Sequence, residues 1–410
     1  MTVSPWRIER LGRHGNAIAR GPDGQKALAP RLLPGELVTA EASDGHLLNP
    51  KIIEPSSDRV RPPCRHYATC GGCALMHASD DFVARWKSEL VASALAAHRI
   101  ETKIAGIATS PSHSRRRAVL SGRRTKKGAL LGFHGRASDQ IVDITNCHVL
   151  RPGIVAALPA LRQVVSAGAS RSGELSLTVT ETRSGLDVAV SGGKPLDPAL
   201  TEQLSALMRK ADLARLDWDG TPLTRRQPLL NMGQTRVTPP PGGFLQATAE
   251  GEAALLSVVR KTTEGATSIV DLFAGCGTFS LPLAAHADIH AVEGLSAPLH
   301  ALDAAWRTTP GLHRITTEIR DLASRPLMPD ELARFDAAVI DPPRSGAAAQ
   351  AEHLAASALA RIAWVSCNPV TFARDAATMI KAGWRMGPVY VVDQFRWSTH
   401  VETVTSFTRN

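Results

Sequence analysis

The chain has 410 residues and a net charge of +9, and 43% of its residues are hydrophobic. This length predicts two or three domains with a sizeable core. There is no run of about eighteen uncharged apolar residues, and the N-terminus lacks the apolar core of a secretory signal. We therefore expect a cytoplasmic protein that crosses no membrane. The excess of basic residues favours a polyanionic partner such as nucleic acid.

The N-terminal residues 1–58 predict a small β-barrel. Short apolar and polar runs alternate there and are broken by glycine and proline, a pattern typical of short strands joined by tight turns. The segment Arg59-Val-Arg-Pro-Pro63 marks the boundary to a central α+β domain, which we place at residues 59–240. Near its start, the apolar spacing predicts a helix from roughly Asp80 to His98.

Four of the six cysteines form a three-plus-one pattern, with the members Cys64, Cys70, Cys73 and Cys147. Disulfides are not expected in a reducing compartment, so clustered cysteines indicate metal binding. Four thiolates can hold zinc or an iron-sulfur cluster. Structural zinc sites more often pair their ligands in two short hairpins, so this arrangement favours [4Fe-4S] over zinc. His66 and His77 are alternative ligands.

A basic run lies in the central domain, with no acidic residue among its members: Arg115, Arg116, Arg117, Arg123, Arg124, Lys126 and Lys127. The flanking apolar residues predict a hairpin that turns near Lys127-Gly128. We expect this hairpin to project its charges as one stripe toward RNA phosphates. A solvated basic face without a ligand is the alternative.

The segment Thr238-Pro-Pro-Pro-Gly-Gly243 marks a second boundary, after which residues 241–410 predict an α/β domain. Apolar runs alternate with helix-like stretches there, which indicates a doubly wound parallel sheet. The predicted strands are Ser268–Phe273, Ile289–Val292, Ala337–Ile340 and Ile362–Val365.

A cofactor loop is predicted within residues 269–279, where a strand ends in a Gly-x-Gly turn that opens a helix. Glycines there allow a ligand to approach the backbone. Glu293, about twenty residues later, is placed to accept hydrogen bonds from ribose hydroxyls. Ser280 replaces the third glycine of a dinucleotide site, and Asp271 suits a cationic cofactor without phosphates. S-adenosylmethionine meets this description, and a glycine turn without a ligand is the alternative. We interpret Cys276 as a small loop residue.

Three segments predict a nucleophile with a nearby base. Cys367 follows an apolar run and precedes a turn, where open α/β sheets keep reactive groups. Asp341-Pro-Pro-Arg344 ends another apolar run, and Thr399-His-Val-Glu402 offers a carboxylate.

Together these residues resemble the RNA 5-methyluridine methyltransferase family, S-adenosylmethionine-dependent enzymes of the kind that modify 23S ribosomal RNA. Residues 1 to about 55 look like its TRAM RNA-binding barrel, and the four cysteines match its [4Fe-4S] ligands. The other matching motifs are Phe244-Leu-Gln246, the loop 271–279, Ser366-Cys-Asn-Pro369 and Thr399-His-Val-Glu402.

The resemblance implies a class I (Rossmann-like) methyltransferase domain and a residue set for the cofactor pocket: Gln246, Phe273, Thr278, Glu293, Asp321 and Asp341. It also implies that Cys367 adds to carbon 6 of uracil, that carbon 5 takes the methyl group, and that Glu402 removes the carbon 5 proton. The target would be a loop or flipped-out nucleotide. The expected substrate is 23S ribosomal RNA, with transfer RNA second. We expect a monomer with no protein partner.

Two residues depart from the family pattern, Arg396 in place of a proline and Met76 in place of a glutamine. Other enzymes remain as alternatives. An amino-methyltransferase would have an aromatic residue where Arg344 stands, and a cytosine carbon 5 methyltransferase is closer in chemistry. A non-catalytic RNA-binding or ribosome-assembly factor is the alternative from another class.

Overall fold

The computed structural model describes residues 4–409. Five N-terminal strands close into a barrel in the order β1-β2-β3-β5-β4. They are β1 (Ser4–Leu11), β2 (Ala17–Arg20), β3 (Lys26–Ala29), β4 (Leu37–Ser43) and β5 (His46–Glu54). Alternate residues such as Trp6 and Ile8 point into the barrel core, as the two-residue period of a strand requires. The predicted barrel is confirmed.

A loop that carries three of the clustered cysteines leads from the barrel to α1 (Asp80–Ala96). The Ser79 hydroxyl accepts a hydrogen bond from the backbone N–H of Phe82 at 3.2 Å, and two aspartates occupy the first turn. Both features stabilise a helix N-terminus. The predicted helix is confirmed, and β6 (Ile104–Thr109) follows it.

The central sheet has seven strands in the order β13-β12-β11-β10-β7-β8-β9. Its elements are β7 (Arg117–Thr125), β8 (Gly128–His134), β9 (Ile141–Asp143), α2 (Pro152–Gly168), β10 (Glu174–Thr182), β11 (Gly185–Ser191), α3 (Pro198–Lys210), β12 (Leu213–Trp218) and β13 (Thr221–Thr224). Strands β7 and β8 form the predicted hairpin, with Thr125 paired to Gly128. Helices α2 and α3 pack on this sheet around Leu161 and Trp218. A separate ribbon of β14 (Leu230–Met232) and β15 (Thr235–Val237) follows.

The C-terminal part contains a nine-stranded sheet flanked by helices. Its elements are α4 (Ala249–Thr262), β16 (Ser268–Leu272), α5 (Ser280–Leu283), β17 (Asp288–Glu293), α6 (Ser296–Arg307), β18 (Ile315–Ile319), α7 (Pro329–Leu332), β19 (Ala337–Ile340), α8 (Ala348–Ala356), β20 (Arg361–Ser366), α9 (Pro369–Lys381), β21 (Arg385–Met386), β22 (Val389–Asp393) and β23 (Glu402–Thr408). Strands β16 to β20 are parallel neighbours, and all four predicted strands are confirmed. Both faces of the central strands β16, β19 and β20 are buried, as continuous apolar runs such as 337–340 require.

The sheet is not wholly parallel, which corrects the expectation. Eight of the nine strands follow the order β18-β17-β16-β19-β20-β23-β22-β6, and β21 pairs with β23 beside this path. Strand β23 runs antiparallel between β20 and β22. Strand β6 joins the same sheet parallel to β22, and α1 packs against α9. The sheet therefore draws on residues on both sides of the predicted boundary at 240. Within residues 4–409, none of the helices combines the length and apolar character that crossing a bilayer requires.

Candidate active site

The structure brings Cys367 and Glu402 together through strand register. Ser366 at the end of β20 pairs with Thr403 on β23, so Cys367 lies one residue beyond β20 and beside Glu402, the first residue of β23. Asp341 follows β19, the parallel neighbour of β20. Charges on Glu402, Asp341 and Arg344 all act on the Cys367 thiol. Three distant segments thus converge at one edge of the sheet, as predicted.

The turn that carries Cys367 is fastened to the Asp-Pro-Pro-Arg segment. Asn368 caps α9 by accepting a hydrogen bond from Val370 N–H at 3.1 Å, and its Nδ2 donates to the Arg344 carbonyl at 2.9 Å. Asp375 on α9 accepts from Ala347 N–H at 2.8 Å. The cysteine turn and the loop after Asp341 are therefore held as one unit.

Burial and mutual repulsion raise the pKa values of the acidic groups at this edge. Burial, reinforced by Glu402 and Asp341, raises the pKa of Cys367 to about 12. Burial and the nearby Asp271 raise the pKa of Asp341 to about 7. Burial and Asp341 hold the pKa of Glu402 well above its usual range, while Gln394 and Arg344 oppose that shift. A site crowded with buried acids favours a cationic ligand.

Two buried glutamines connect the acids. Gln246 donates from Nε2 to Asp341 Oδ2 at 3.1 Å, and Gln394 donates from Nε2 to Gln246 Oε1 at 2.6 Å. The Gln394 side chain also hydrogen-bonds Glu402. Gln394 was not predicted as a site residue. It could have been, because it directly follows the apolar strand β22, whose carboxyl end lies at the same edge of the sheet as that of β20.

The predicted cofactor loop has a constrained backbone. Phe273 adopts a left-handed conformation with φ of 64°, and Gly277 has φ of 91° with only 2.9 Å between a hypothetical Cβ and Leu302 Cδ1. Non-glycine residues in this conformation are strained and often mark binding sites. Thr278 is half-buried in the same loop. Cys276 is buried in the apolar core, which confirms its interpretation as a small loop residue.

Two carboxylates shape this loop. Glu293, at the end of β17, accepts from the N–H groups of Gly275 and Leu295, each at 3.1 Å. Asp271 is buried within β16 and accepts from Ser280 Oγ at 2.5 Å. Burial raises the pKa of Asp271 to about 7. Asp271 thus holds the start of α5 by a hydrogen bond from within the sheet.

Asp321 follows β18 and is exposed. It accepts from Ser324 Oγ at 2.8 Å and from Ala323 N–H at 3.0 Å, and these hydrogen bonds lower its pKa. Beside it, Ile319 pairs with Glu293 across the sheet. The apolar side chains of Leu295 and Ile319 are 66% and 54% exposed. The predicted pocket residues thus follow successive strand ends along one edge.

The four clustered cysteines line one cavity of about 400 Å³. We call residues 64–77 together with 145–148 the cysteine lobe. All four thiols are free and half-buried. Burial raises the pKa values of Cys70, Cys73 and Cys147, and charges on neighbouring thiols add to the effect. Within residues 4–409, however, no group of three or more histidines, cysteines or acids has the geometry to hold a metal ion.

The alternative ligands in the cysteine lobe have other partners. His66 Nε2 accepts from Thr145 N–H at 3.2 Å. His77 is buried with Nδ1 2.6 Å from the Tyr67 hydroxyl, and burial lowers its pKa to about 4. Both histidines therefore have hydrogen-bond partners, and His66 lines the cavity together with the four thiols.

The cysteine lobe contacts the segment that precedes Glu402. The Trp397 carbonyl accepts from Ala74 N–H at 2.8 Å and from Leu75 N–H at 2.9 Å. Arg344 and His400 line both the cysteine cavity and a larger cavity of about 850 Å³ that contains Cys367. This larger cavity opens between the barrel, α1 and the strand ends at Cys367 and Glu402, which we call the catalytic edge. Cys367 is thus reached from the junction of the barrel and the sheet.

The basic run does not form a single exposed stripe, which corrects the expectation. Arg116 is only 7% exposed and forms an ion pair with Glu252 on α4, and its Nε donates to the Gln246 carbonyl. Arg117 donates to the carbonyls of Gly242 and Gly243 at 3.1 Å, and Arg115 stacks on Phe395. The exposed members lie near the hairpin turn and are Arg123, Arg124, Lys126 and Lys127. Arginines 115–117 instead attach the central sheet to the C-terminal part that contains Cys367 and Glu402, which we call the catalytic part.

Sequence relatives span the whole chain. An uncharacterized RNA methyltransferase of Brucella suis biovar 1 is 43% identical over 403 residues, covering 98% of this chain and 97% of that protein. The 23S rRNA (uracil(1939)-C(5))-methyltransferase RlmD of Halomonas elongata is 32% identical over 433 residues, covering 97% and 88%. The chain belongs to the RNA 5-methyluridine methyltransferase family. It is accordingly an S-adenosylmethionine-dependent RNA methyltransferase.

The family assignment agrees with two further matches. A family model described as tRNA (uracil-5-)-methyltransferase matches residues 326–410, the part that contains Cys367 and Glu402. The fold is that of the Pyrococcus abyssi tRNA (uracil-54, C5)-methyltransferase in complex with S-adenosyl-L-homocysteine. The two structures align with a TM-score of 0.77 at 20% identity, covering 99% of both chains.

Both departures from the family pattern occupy structural positions. Arg396 donates to the Ser110 carbonyl at 3.1 Å and pairs with Asp80 at the start of α1. Met76 is 1% exposed and packs with Tyr67 and Trp397. In this member of the family, both residues therefore help to hold the segment before Glu402.

Proposed function

We propose that this enzyme methylates carbon 5 of a uridine in RNA, with Cys367 as the nucleophile and Glu402 as the general base. The observation that carries this proposal is the adjacency of the two residues at the paired ends of β20 and β23. Asp341 and Arg344 accompany them. A thiol and a carboxyl group at one strand junction suit a reaction that needs both a covalent step and a proton abstraction.

Carbon 5 of uracil is a weak nucleophile, so the proposed reaction begins by activating it. Cys367 loses its thiol proton to solvent and adds to carbon 6 as the thiolate, which places negative charge on carbon 5 and the carbonyl oxygen at position 4. After carbon 5 has gained the methyl group, Glu402 removes the proton that remains on that carbon. The electrons of the broken C–H bond re-form the 5,6 double bond and expel Cys367. Asp341 lies where it would orient the uracil.

S-adenosylmethionine supplies an electrophilic methyl group when it is bound. We place its ribose hydroxyls at Glu293, the one predicted pocket carboxylate that also secures the glycine loop. The exposed apolar side chains of Leu295 and Ile319 would cover the adenine ring. The buried acids Asp341 and Glu402 favour its positive charge. The residues therefore fit this cofactor.

The cavity of about 850 Å³ beside Cys367 gives the target base a path to the nucleophile. It is lined by Arg10 and Arg13 from the barrel and by Arg85 from α1. Cationic side chains suit the phosphates that flank a target base. A uridine turned out of its helix could therefore enter here.

We propose 23S ribosomal RNA as the substrate, supported by the full-length relative from Halomonas elongata. Transfer RNA is the second candidate. The exposed basic residues at the hairpin turn, Arg124, Lys126 and Lys127, would contact phosphates outside the target site.

We further propose that Cys64, Cys70, Cys73 and Cys147 hold a [4Fe-4S] cluster. They share one cavity, and burial raises the pKa values of Cys70 and Cys147, so a cationic group bound among them would favour their thiolate forms. The Gly72 N–H, which approaches Cys70 Sγ at 3.4 Å, is a donor suited to a cluster sulfur ligand. The cluster would hold the cysteine lobe against the segment that contains Trp397.

Mass-spectrometric mapping of 5-methyluridine tests the proposed function. Ribosomal and transfer RNA would be compared from cells with the gene, without it, and with the Cys367→Ala variant. Loss of one site in 23S ribosomal RNA in both altered strains supports the proposal. Loss of a 5-methyluridine in transfer RNA instead would identify transfer RNA as the substrate. An unchanged map overturns the proposal in favour of the non-catalytic RNA-binding factor.

A further inference from the structure

The base Glu402 sits in surroundings that oppose its ionised form. It is 4% exposed, and Asp341 at the end of β19 adds repulsion. The Cys367 thiol faces it from the end of β20. Arg344 opposes these effects, and the nearby His400 has a pKa lowered to about 4 by burial, so it supplies no charge at neutral pH. A general base must nonetheless be ionised to accept a proton.

Gln394 lies where its side chain can favour the ionised form of Glu402. It follows β22 directly and is 1% exposed. Its Nε2 donates to Gln246 Oε1 at 2.6 Å, and its side chain hydrogen-bonds Glu402. Its Oε1 has no hydrogen-bond donor among the described residues. The amide orientation is therefore set by the two acceptors that its nitrogen serves.

Packing also fixes the Gln394 side chain. A Cβ at position 251, on α4, would lie 2.7 Å from Gln394 Cβ, so Gly251 leaves the room that this side chain occupies. On the other side, Gln246 is itself oriented by its hydrogen bond to Asp341. One continuous path therefore runs from Asp341 through Gln246 and Gln394 to Glu402.

We propose that Gln394 is a positioning residue that holds Glu402 ready to accept the carbon 5 proton and ties its orientation to the cofactor-side residue Gln246. This inference rests on the proposed function. Gln394 touches neither reacting atom. It acts by donating a hydrogen bond that favours the ionised carboxylate and fixes its direction.

The Gln394→Met variant tests this inference, because methionine has a similar length and volume but no donor. We expect kcat to fall about 10- to 100-fold. The pH–rate profile should also change. Loss of the donor raises the pKa of Glu402, so the acidic limb should move to higher pH by about one unit. The covalent adduct between Cys367 and RNA should accumulate, because its formation does not need the base.

Gln350→Met is the matched control. Gln350 is also fully buried in the catalytic part, but it binds the backbone of Leu327 through Oε1 and Nε2. A structural loss there should lower adduct and product together and leave the pH–rate profile unmoved. If Gln394→Met behaves like this control, or has the wild-type profile, the inference is overturned.

A second variant keeps the inference testable if Gln394→Met does not fold. Gln394→Glu keeps the shape but places another carboxyl group beside Glu402, so the acidic limb should again move upward. An unmoved limb in this variant also contradicts the inference. Failure of the proposed function is distinguishable, because the wild-type enzyme would then form no 5-methyluridine under any of these conditions.

Discussion

The catalytic edge and the cysteine lobe are neighbours, but they are positioned by different forces. At the catalytic edge, Cys367 and Glu402 are set by paired strands with continuous hydrogen bonding on both sides. In the cysteine lobe, the thiols lie in irregular segments outside the named strands and helices. The first arrangement is determined by the sheet alone, whereas the second would depend on the proposed cluster that draws the four thiols together. The comparison predicts that the two regions respond differently to substitution.

The largest effect is expected at the nucleophile. Cys367→Ala removes the group that adds to uracil, so methylation should fall by at least roughly 10³-fold while RNA binding stays close to wild type. Methyl transfer from labelled S-adenosylmethionine and filter binding of RNA measure the two quantities. Cys276→Ala is the matched control, because Cys276 is a buried core residue of the same domain. Persistent methylation by Cys367→Ala would show that the nucleophile is misassigned.

In the cysteine lobe, substitution of a cysteine should remove the proposed iron-sulfur cluster. Anaerobically purified protein is expected to be brown, with broad absorbance near about 400 nm. Cys73→Ser should remove that absorbance and lower the iron content. His66→Ala is the control that should keep both, since His66 is bound to Thr145. Colourless wild-type protein that contains stoichiometric zinc contradicts the assignment of an iron-sulfur cluster.

The junction between the central sheet and the catalytic part should depend on Arg116. Arg116→Ala leaves Glu252 buried without its partner, which should cost about 3 kcal/mol in the free energy of unfolding. Urea denaturation measures this cost. An unchanged midpoint would mean that the buried ion pair does not hold the two parts together.

The exposed hairpin turn should show the opposite behaviour. Arg124→Ala is expected to change the free energy of unfolding by less than about 0.5 kcal/mol. It should weaken RNA binding and reduce the dependence of log affinity on log salt concentration by about one. Wild-type affinity across the salt range would remove this residue from the RNA interface.

The smallest effect concerns the thiol of Cys367 in the free enzyme. Burial and the acids Glu402 and Asp341 raise its pKa to about 12, so it is a protonated thiol at neutral pH. Alkylation by iodoacetamide should therefore be slow and should accelerate as pH rises. In Glu402→Gln one of the repelling groups is gone, the pKa of Cys367 falls, and alkylation at fixed pH should be about 3- to 10-fold faster. Equal rates in both proteins would place the two residues further apart than the structure does.

The strands predicted from the sequence are those whose buried residues are mostly apolar. The run 337–340 is buried on both faces, so hydrophobicity alone identifies it. Strand β23 was not predicted, because its buried residues include Thr403 and Thr405. Their hydroxyls donate to the Ser366 and Gly387 carbonyls. Polar residues that are buried with hydrogen-bond partners look exposed in a hydropathy pattern.

Long-range partners were the other source of error. Arg116 and Arg124 are equivalent within the basic run, and only the presence of Glu252, 136 residues away, separates a structural arginine from an exposed one. Gln394 likewise gains its role from Gln246, 148 residues away. The cysteine pattern predicted a metal site. The structure places the four cysteines around one cavity, but no group within residues 4–409 has the geometry to hold a metal ion.

The most direct test of the central claim is to locate the covalent bond between the Glu402→Gln variant and its RNA. The variant would be incubated with substrate RNA and S-adenosylmethionine, then digested with protease and nuclease and analysed by tandem mass spectrometry. The account predicts a methylated uridine attached to the peptide that contains Cys367. Attachment to another cysteine, or the absence of any adduct while the wild-type enzyme forms 5-methyluridine, would contradict it.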